Sequence, residues 1–114
     1  MKRLTFKDEW VGKIVSGHKT ATCRTTDRKL CVGDIVAAVA RQGQVPAFLV
    51  GTKDAFATLR ITAVTSVVFG EYTENHALKC GFQSLEQARE WYRQTKLAGE
   101  DHQVFIYEFE VVPA

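Results

Sequence analysis

Phe6, Trp10 and Ile14 recur four residues apart, and Val11 and Val15 widen the stripe, so the opening segment from Thr5 to Gly17 predicts an amphipathic helix. Gly17 follows the last periodic position and supplies the stop, because glycine takes a positive φ at little cost. From Thr20 to Thr26 the period changes to two. Ala21 and Cys23 share one face of a predicted strand, and Thr20, Thr22, Arg24 and Thr26 share the other.

Val32 to Asp34 reads as a turn, and the apolar run from Ile35 to Ala40 as a strand buried on both faces. Between Arg41 and Phe56, Pro46 and two glycines interrupt Phe48, Leu49 and Val50, which predicts a short extra strand and a turn at Gly51 to Asp54. A longer strand follows, with Leu59, Ile61 and Ala63 facing one way and Thr58, Arg60 and Thr62 the other. Two helices come next. The first runs from about Thr73 to Cys80 and is stopped by Gly81; the second opens at Ser84 with Gln87 at the capping-box position and Leu85, Ala88 and Tyr92 on its apolar side. The chain closes on a half-buried strand in which Phe105, Tyr107, Phe109 and Val111 alternate with Ile106, Glu108 and Glu110.

This order has no regular strand–helix–strand alternation, so the fold class is α+β: a small mixed barrel or curled sheet with helices packed at the rim. At 114 residues, residues 1–114 form one domain able to bury a core unaided. With 46% hydrophobic and 25% charged residues, neither disorder nor a membrane span is favoured. The opening residues lack a hydrophobic stretch of secretory type, which places the chain in the cytoplasm. Cys23, Cys31 and Cys80 are odd in number and far apart, and His18, His76 and His102 are scattered, so no metal and no cofactor is expected. The oligomeric state is not fixed by the sequence.

Charge is distributed unevenly. Residues 1 to 30 carry eight Lys/Arg against three Asp/Glu, whereas the rest carry seven against ten. The basic third suits an anionic partner such as RNA, and equally a solvated surface. It also contains the least ordinary stretch, "SGHKTATCRTT", Ser16 to Thr26. Lys19 and Thr22 converge only if Lys19 lies in the loop after Gly17 and the strand begins at Thr20 or Ala21, because an odd spacing within one strand points side chains apart. An ammonium at the strand entrance beside Thr22 and Arg24 suits a phosphate or a polarised carbonyl. A neighbouring cation and partial burial would lower the pKa of Lys19 and let it act as a base towards Thr22. Taken singly, these residues read better as a solvated lysine, strand threonines and an arginine paired with Glu71, Glu74 or the last strand; only their combination raises the reading of a site.

Gly17, Lys19, Thr22 and Arg24 fill the four positions of G-x-K-x-x-[ET]-x-R, and here the sequence resembles the ASCH domain family. "VGD" resembles the family's following turn, and "GFQSLEQAREWY" its second helical region. The resemblance implies a PUA-like mixed β-barrel with a cleft over the motif that takes RNA or a nucleoside, held by Gly17, Lys19, Thr22 and Arg24. A bacterial subset is similar in having Lys and Thr at these positions and hydrolyses N4-acylated cytidines. By that likeness Lys19 is the base and Thr22 the nucleophile of an amidohydrolase; a ribonuclease is a further alternative. The subset has a glutamate before the Gly-Phe pair, where this chain has Cys80, a thiol that stays neutral unless its pKa is lowered. Glu71 is the candidate replacement. Glu74, two helical turns away at roughly 9 Å, is a poorer one. Arg60, Arg28 and Lys29 are candidates for a basic rim, and Trp10, Phe69 or Tyr72 for stacking on a base, Tyr72 being the one expected to be exposed.

Overall fold

Leu4 and Phe6 alternate with Arg3, Thr5 and Lys7, and in the folded chain this period of two prevails over the four-residue spacing that Phe6 shares with Trp10. The computed structural model, which describes residues 2–41, 55–96 and 99–113, therefore opens with strand β1 (Lys2–Lys7), and helix α1 is confined to Asp8–Val15. The expected helix from Thr5 is corrected accordingly: Phe6 is buried from a strand, Ile14 from the helix. Asp8 and Glu9 occupy the first turn of α1, where carboxylates complement the helix dipole. Gly17, at φ +84°, turns the chain out of the helix.

Strand β2 (Ala21–Arg24), strand β3 (Ile35–Arg41) and strand β4 (Ala55–Val68) follow. A single turn of 3-10 helix at Phe69–Glu71 leads to α2 (Glu74–Lys79), α3 (Leu85–Lys96) and the closing strand β5 (Gln103–Val111). Strand β3 is buried on both faces, as its unbroken apolar run requires. The extra strand and the turn expected between Arg41 and Ala55 lie outside the described residues. Thr73 and His76 form a reciprocal cap at the start of α2. At α3 the Ser84 hydroxyl accepts from the Gln87 N–H as expected, but the Gln87 side chain reaches back to the N–H of Gln83 rather than of Ser84.

The strands form one mixed sheet in the order β1-β3-β4-β5-β2. Only the β1–β3 pair is parallel, with Leu4 opposite Ala38 and Lys7 opposite Arg41. Strands β1 and β2 are thus the two sheet edges, although Thr5 and Arg24 approach within hydrogen-bonding distance. Two apolar clusters fill the interior. One packs Phe69, Tyr72, Phe82 and Tyr92 under α2 and α3; the other packs Leu4, Phe6, Ile14 and Tyr107 beneath α1. Trp10 borders both clusters, so the segment that follows α1 is fixed by the core on either side. No helix among the described residues is long and apolar enough to cross a membrane.

Candidate functional site

Lys19 lies between the end of α1 and the start of β2, where its N–H donates to the Lys13 carbonyl at 2.9 Å. Its side chain is only 4% exposed. The ammonium donates to the Cys80 carbonyl at 2.6 Å and stands 4.7 Å from the centre of the Trp10 ring. Lys13 grips the same turn from outside, donating to the Gly81 carbonyl at 2.9 Å. Gly81 has φ +93°, and a Cβ there would come within 3.2 Å of Trp10 and 3.3 Å of Lys19. Glycine is needed both for the backbone conformation and for this approach. Burial, foremost, and the charges of Arg24 and Lys13 lower the Lys19 pKa to about 8. The ammonium therefore remains the major form at neutral pH, with about a tenth as free amine.

Thr22 is 4% exposed, and its Oγ1 accepts from Arg24 Nε at 3.1 Å. The two residues lie on one face of β2, and Nη2 of the same guanidinium donates to the Thr5 carbonyl of β1 at 2.8 Å. Arg24 also lies over the Phe6 ring, 4.9 Å from its centre. Desolvation first, then Arg28, lowers its pKa to about 10, so it is charged at neutral pH. A guanidinium thereby spans the gap between the sheet's edges. Among the described residues no carboxylate forms an ion pair with it.

A cleft of about 140 Å³ opens over this gap. Its cations are Lys7, Lys19, Arg24, Arg28, Arg41 and Lys96, and its aromatic walls are Phe6, Trp10, Trp91 and Tyr92. No Asp or Glu lines it among the described residues. Lys7 stands 5.0 Å from the Trp91 ring centre, and Trp91 meets Trp10 edge to face. The Lys96 pKa is lowered by desolvation and then by the like charges of Arg24, Lys7, Arg28 and Arg41. The Arg28 N–H donates to the hydroxyl of buried Tyr107, which itself donates to Asp27, so the loop carrying Arg28 is tied to the core.

Several expected site residues lie elsewhere. Gly17 shapes the approach to Lys19 by its positive φ but does not line the cleft. Arg60 pairs with Glu110 at 2.6 Å on the exposed face of β4. Tyr72, expected to be exposed, is 2% exposed and packs against Phe69, His76 and Tyr92; its polar neighbours in sequence misled the reading. Phe69 is fully buried as well. Glu71 is exposed at the end of the 3-10 turn and does not line the cleft, so it does not supply the missing carboxylate. Lys29 is exposed with φ 56° and is likewise absent from the lining. Cys80 is fully buried, and burial raises its thiol pKa, so it carries no negative charge towards Lys19 at neutral pH.

Lys7, Arg41, Trp91 and Lys96 were not singled out as site residues from the sequence. The signal for two of them is the parallel register that sets Lys7 beside Arg41. It becomes visible only when the order of the strands is known.

The ASCH domain family model matches residues 2–113 of the chain. Among solved structures, the chain is similar to the ASCH domain of Lactobacillus crispatus, at 15% identity and a TM-score of 0.66, covering 91% of this chain and 70% of that one. It is similar to the ASCH protein of Zymomonas mobilis at 14% identity and a TM-score of 0.66, covering 95% and 67%. A protein of Pyrococcus furiosus solved in solution shares 18% identity with a TM-score of 0.64, over 99% of this chain and 98% of that one. No curated protein matches the sequence.

Proposed function

The chain belongs to the ASCH domain family, and on that premise we propose that its cleft binds RNA or a nucleotide through the phosphate, with Lys19, Thr22 and Arg24 at its floor. The observation that carries this reading is the lining itself: six cations, two tryptophans and no carboxylate among the described residues. A phosphate would satisfy what the lining lacks, since arginine presents a planar fork and lysine a point charge. Trp10 and Trp91 offer aromatic surface to an attached base, a contact indifferent to sequence. The Arg24 link between the edge strands also supports reading the curled sheet as a barrel completed by side chains.

A second reading, amidohydrolysis of N4-acylated cytidine, is favoured by the lowered pKa of Lys19 and by the guanidinium beside Thr22 Oγ1, which would stabilise a developing alkoxide. It ranks lower because neither Cys80 nor Glu71 places a carboxylate in the cleft. Ribonuclease action, which needs a general base as well, is supported by Lys19 alone.

The two are separated by incubating the protein with a fluorescent single-stranded RNA and with N4-acetylcytidine. Binding should weaken with rising salt, with a log-log slope of roughly −0.7 per phosphate neutralised, and should be lost in Lys19→Ala and Arg24→Ala. Binding that ignores salt and survives both substitutions would remove the site. Deacetylation by the wild type would promote the hydrolase reading over it.

A further inference from the structure

Two tryptophans line the cleft, and their rings are not equally open to a base. The Trp10 ring carries the Lys19 ammonium at 4.7 Å and the Lys13 ammonium at 5.1 Å from its centre. Both ammoniums are anchored, because they donate to the consecutive carbonyls of Cys80 and Gly81 at 2.6 and 2.9 Å. The backbone of that turn also closes on the ring, since a Cβ at Gly81 would come within 3.2 Å of it. Phe82 and Trp91 meet Trp10 edge to face. A base that displaced the cations from Trp10 would have to break their hydrogen bonds.

Trp91 is covered differently. Helix α3 sets its half-buried ring against Trp10, Phe82 and Tyr92, and the Lys7 ammonium lies over it at 5.0 Å. Among the described residues that ammonium makes no hydrogen bond and no ion pair; the ring is its one attractive contact. Lys7 is exposed at the end of edge strand β1. Lys96 is near enough for the charge of Lys7 to lower its pKa, so repulsion between like charges opposes this placement. Lys7 also lines an adjoining groove of about 430 Å³, into which its flexible four-carbon stem can swing.

We infer that Trp91 is the platform on which the base of the bound nucleotide stacks, and that Lys7 is its exchangeable cover, lying on the ring until a base takes its place. The inference rests on the reading of the cleft as a nucleotide site and deepens it, because it names the residue that would make the cleft prefer a nucleotide to a phosphate without a base. The magnitudes favour the exchange. A cation over an exposed ring is worth about two- to fivefold in an equilibrium, whereas a base stacked on an aromatic side chain is worth about five- to a hundredfold. Exchange also leaves a signature that a merely structural Lys7 would not: removing the ammonium should tighten the binding of an uncharged nucleoside.

The test is calorimetry with 5′-CMP, with ribose 5-phosphate, which keeps the phosphate and lacks the base, and with cytidine, which lacks the phosphate. The wild type should bind 5′-CMP about fivefold or more tighter than ribose 5-phosphate. Trp91→Leu should bring that ratio towards one, and Trp91→Phe, which keeps a ring, should retain part of it. Lys7→Ala should tighten cytidine about two- to fivefold. Circular dichroism checks that the variants fold; should Trp91→Leu fail to, the cytidine measurement decides, since it alters only the exposed Lys7. A ratio of about one in the wild type, or one that Trp91→Leu does not lower, overturns the platform while leaving the phosphate site intact. Cytidine bound no tighter by Lys7→Ala overturns the exchange. Failure of both phosphate ligands to bind overturns the central site together with the platform.

Discussion

Arg24 Nη2 donates to the Thr5 carbonyl at 2.8 Å while Nε of the same group donates to Thr22 Oγ1 at 3.1 Å, so one side chain joins the sheet's two edge strands and orients the hydroxyl between them. The bond is structural and positions the site at once. Arg24→Ala should destabilise the fold by about 1–3 kcal/mol, the range for removing a partner from partly buried polar groups, and should also abolish nucleotide binding. Arg24→Lys keeps the charge but offers no planar fork, so it should retain part of the binding and recover little of the stability. Urea denaturation and a binding titration on both variants check this.

Lys19 should cost the protein stability at neutral pH. With its pKa at about 8 in the fold and 10.5 as the ordinary value, the unfolded chain holds more protons between these values. The Lys19 contribution to stability therefore rises as pH increases from 8 to 10.5, and below 8 the burial of the cation is a penalty of about 3 kcal/mol. Cys23 acts in the opposite direction: burial raises its pKa to about 12, so its stabilising contribution is lost as pH climbs from 9 towards that value. The clean measurement is a difference. The stability of wild type relative to Lys19→Met should improve across pH 8 to 10.5, while Lys19→Met loses binding at every pH.

An anion beside Lys19 stabilises the ammonium and raises its pKa, so binding should take up protons near pH 8. The affinity for 5′-CMP should then fall as pH rises from 7 to 9, after the phosphate itself is fully ionised. Calorimetry in two buffers of different ionisation enthalpy measures the proton uptake directly. An affinity constant over that range would place the phosphate away from Lys19.

Cys80→Glu tests the hydrolase alternative. The side chain at this position is fully buried, with the Lys19 charge and the Tyr72 hydroxyl acting on it. A carboxylate there has a cation and a donor at hand, against an overpacking cost of about 1–3 kcal/mol. The wild type should be slow or inactive on N4-acetylcytidine, and Cys80→Glu should raise the rate by about 10² or more, the usual contribution of a positioned acid or base. Chromatographic detection of cytidine reads the result, and Lys19→Ala in the same background should erase the gain.

The Tyr72 hydroxyl is buried with no oxygen or nitrogen partner among the described residues, and the group acting on it is the Cys80 thiol, a weak hydrogen-bond partner. Tyr72→Phe should accordingly be neutral or stabilising by up to about 1 kcal/mol, because it removes a desolvated group and leaves the ring contacts in place. Thermal denaturation of the single variant measures it.

Local patterns reached the elements whose period was unambiguous. The uninterrupted Val36 to Val39 core and the Thr73 and Ser84 helix starts were legible, because each depends on neighbours in sequence; the half-buried alternation expected of β5 was not, since Val104 and Ile106 pack into one apolar cluster, Tyr107 and Phe109 into the other, and Val111 is exposed. Strand β1 was not legible either, because Phe6 fits both a period of two with Leu4 and a spacing of four with Trp10. Only pairing with β3 decides between them. In the site, Lys19, Thr22 and Arg24 could be placed together from strand alternation and the turn at Gly17. Lys7, Arg41 and Lys96 join them through strand pairing and the packing of α3, which no short-range pattern carries. Tyr72 was misplaced for a related reason: flanking polar residues describe the backbone's exposure, whereas the ring of Tyr72 turns into the aromatic cluster beneath α3.

The central claim is that the cleft recognises phosphate, and the most direct measurement compares 5′-CMP with cytidine on the same protein. The account predicts that 5′-CMP binds about tenfold or more tighter, the worth of at least one charge-assisted hydrogen bond, and that Arg24→Ala removes the difference. Cytidine bound as tightly as 5′-CMP, with an affinity insensitive to salt and to Arg24→Ala, would contradict it.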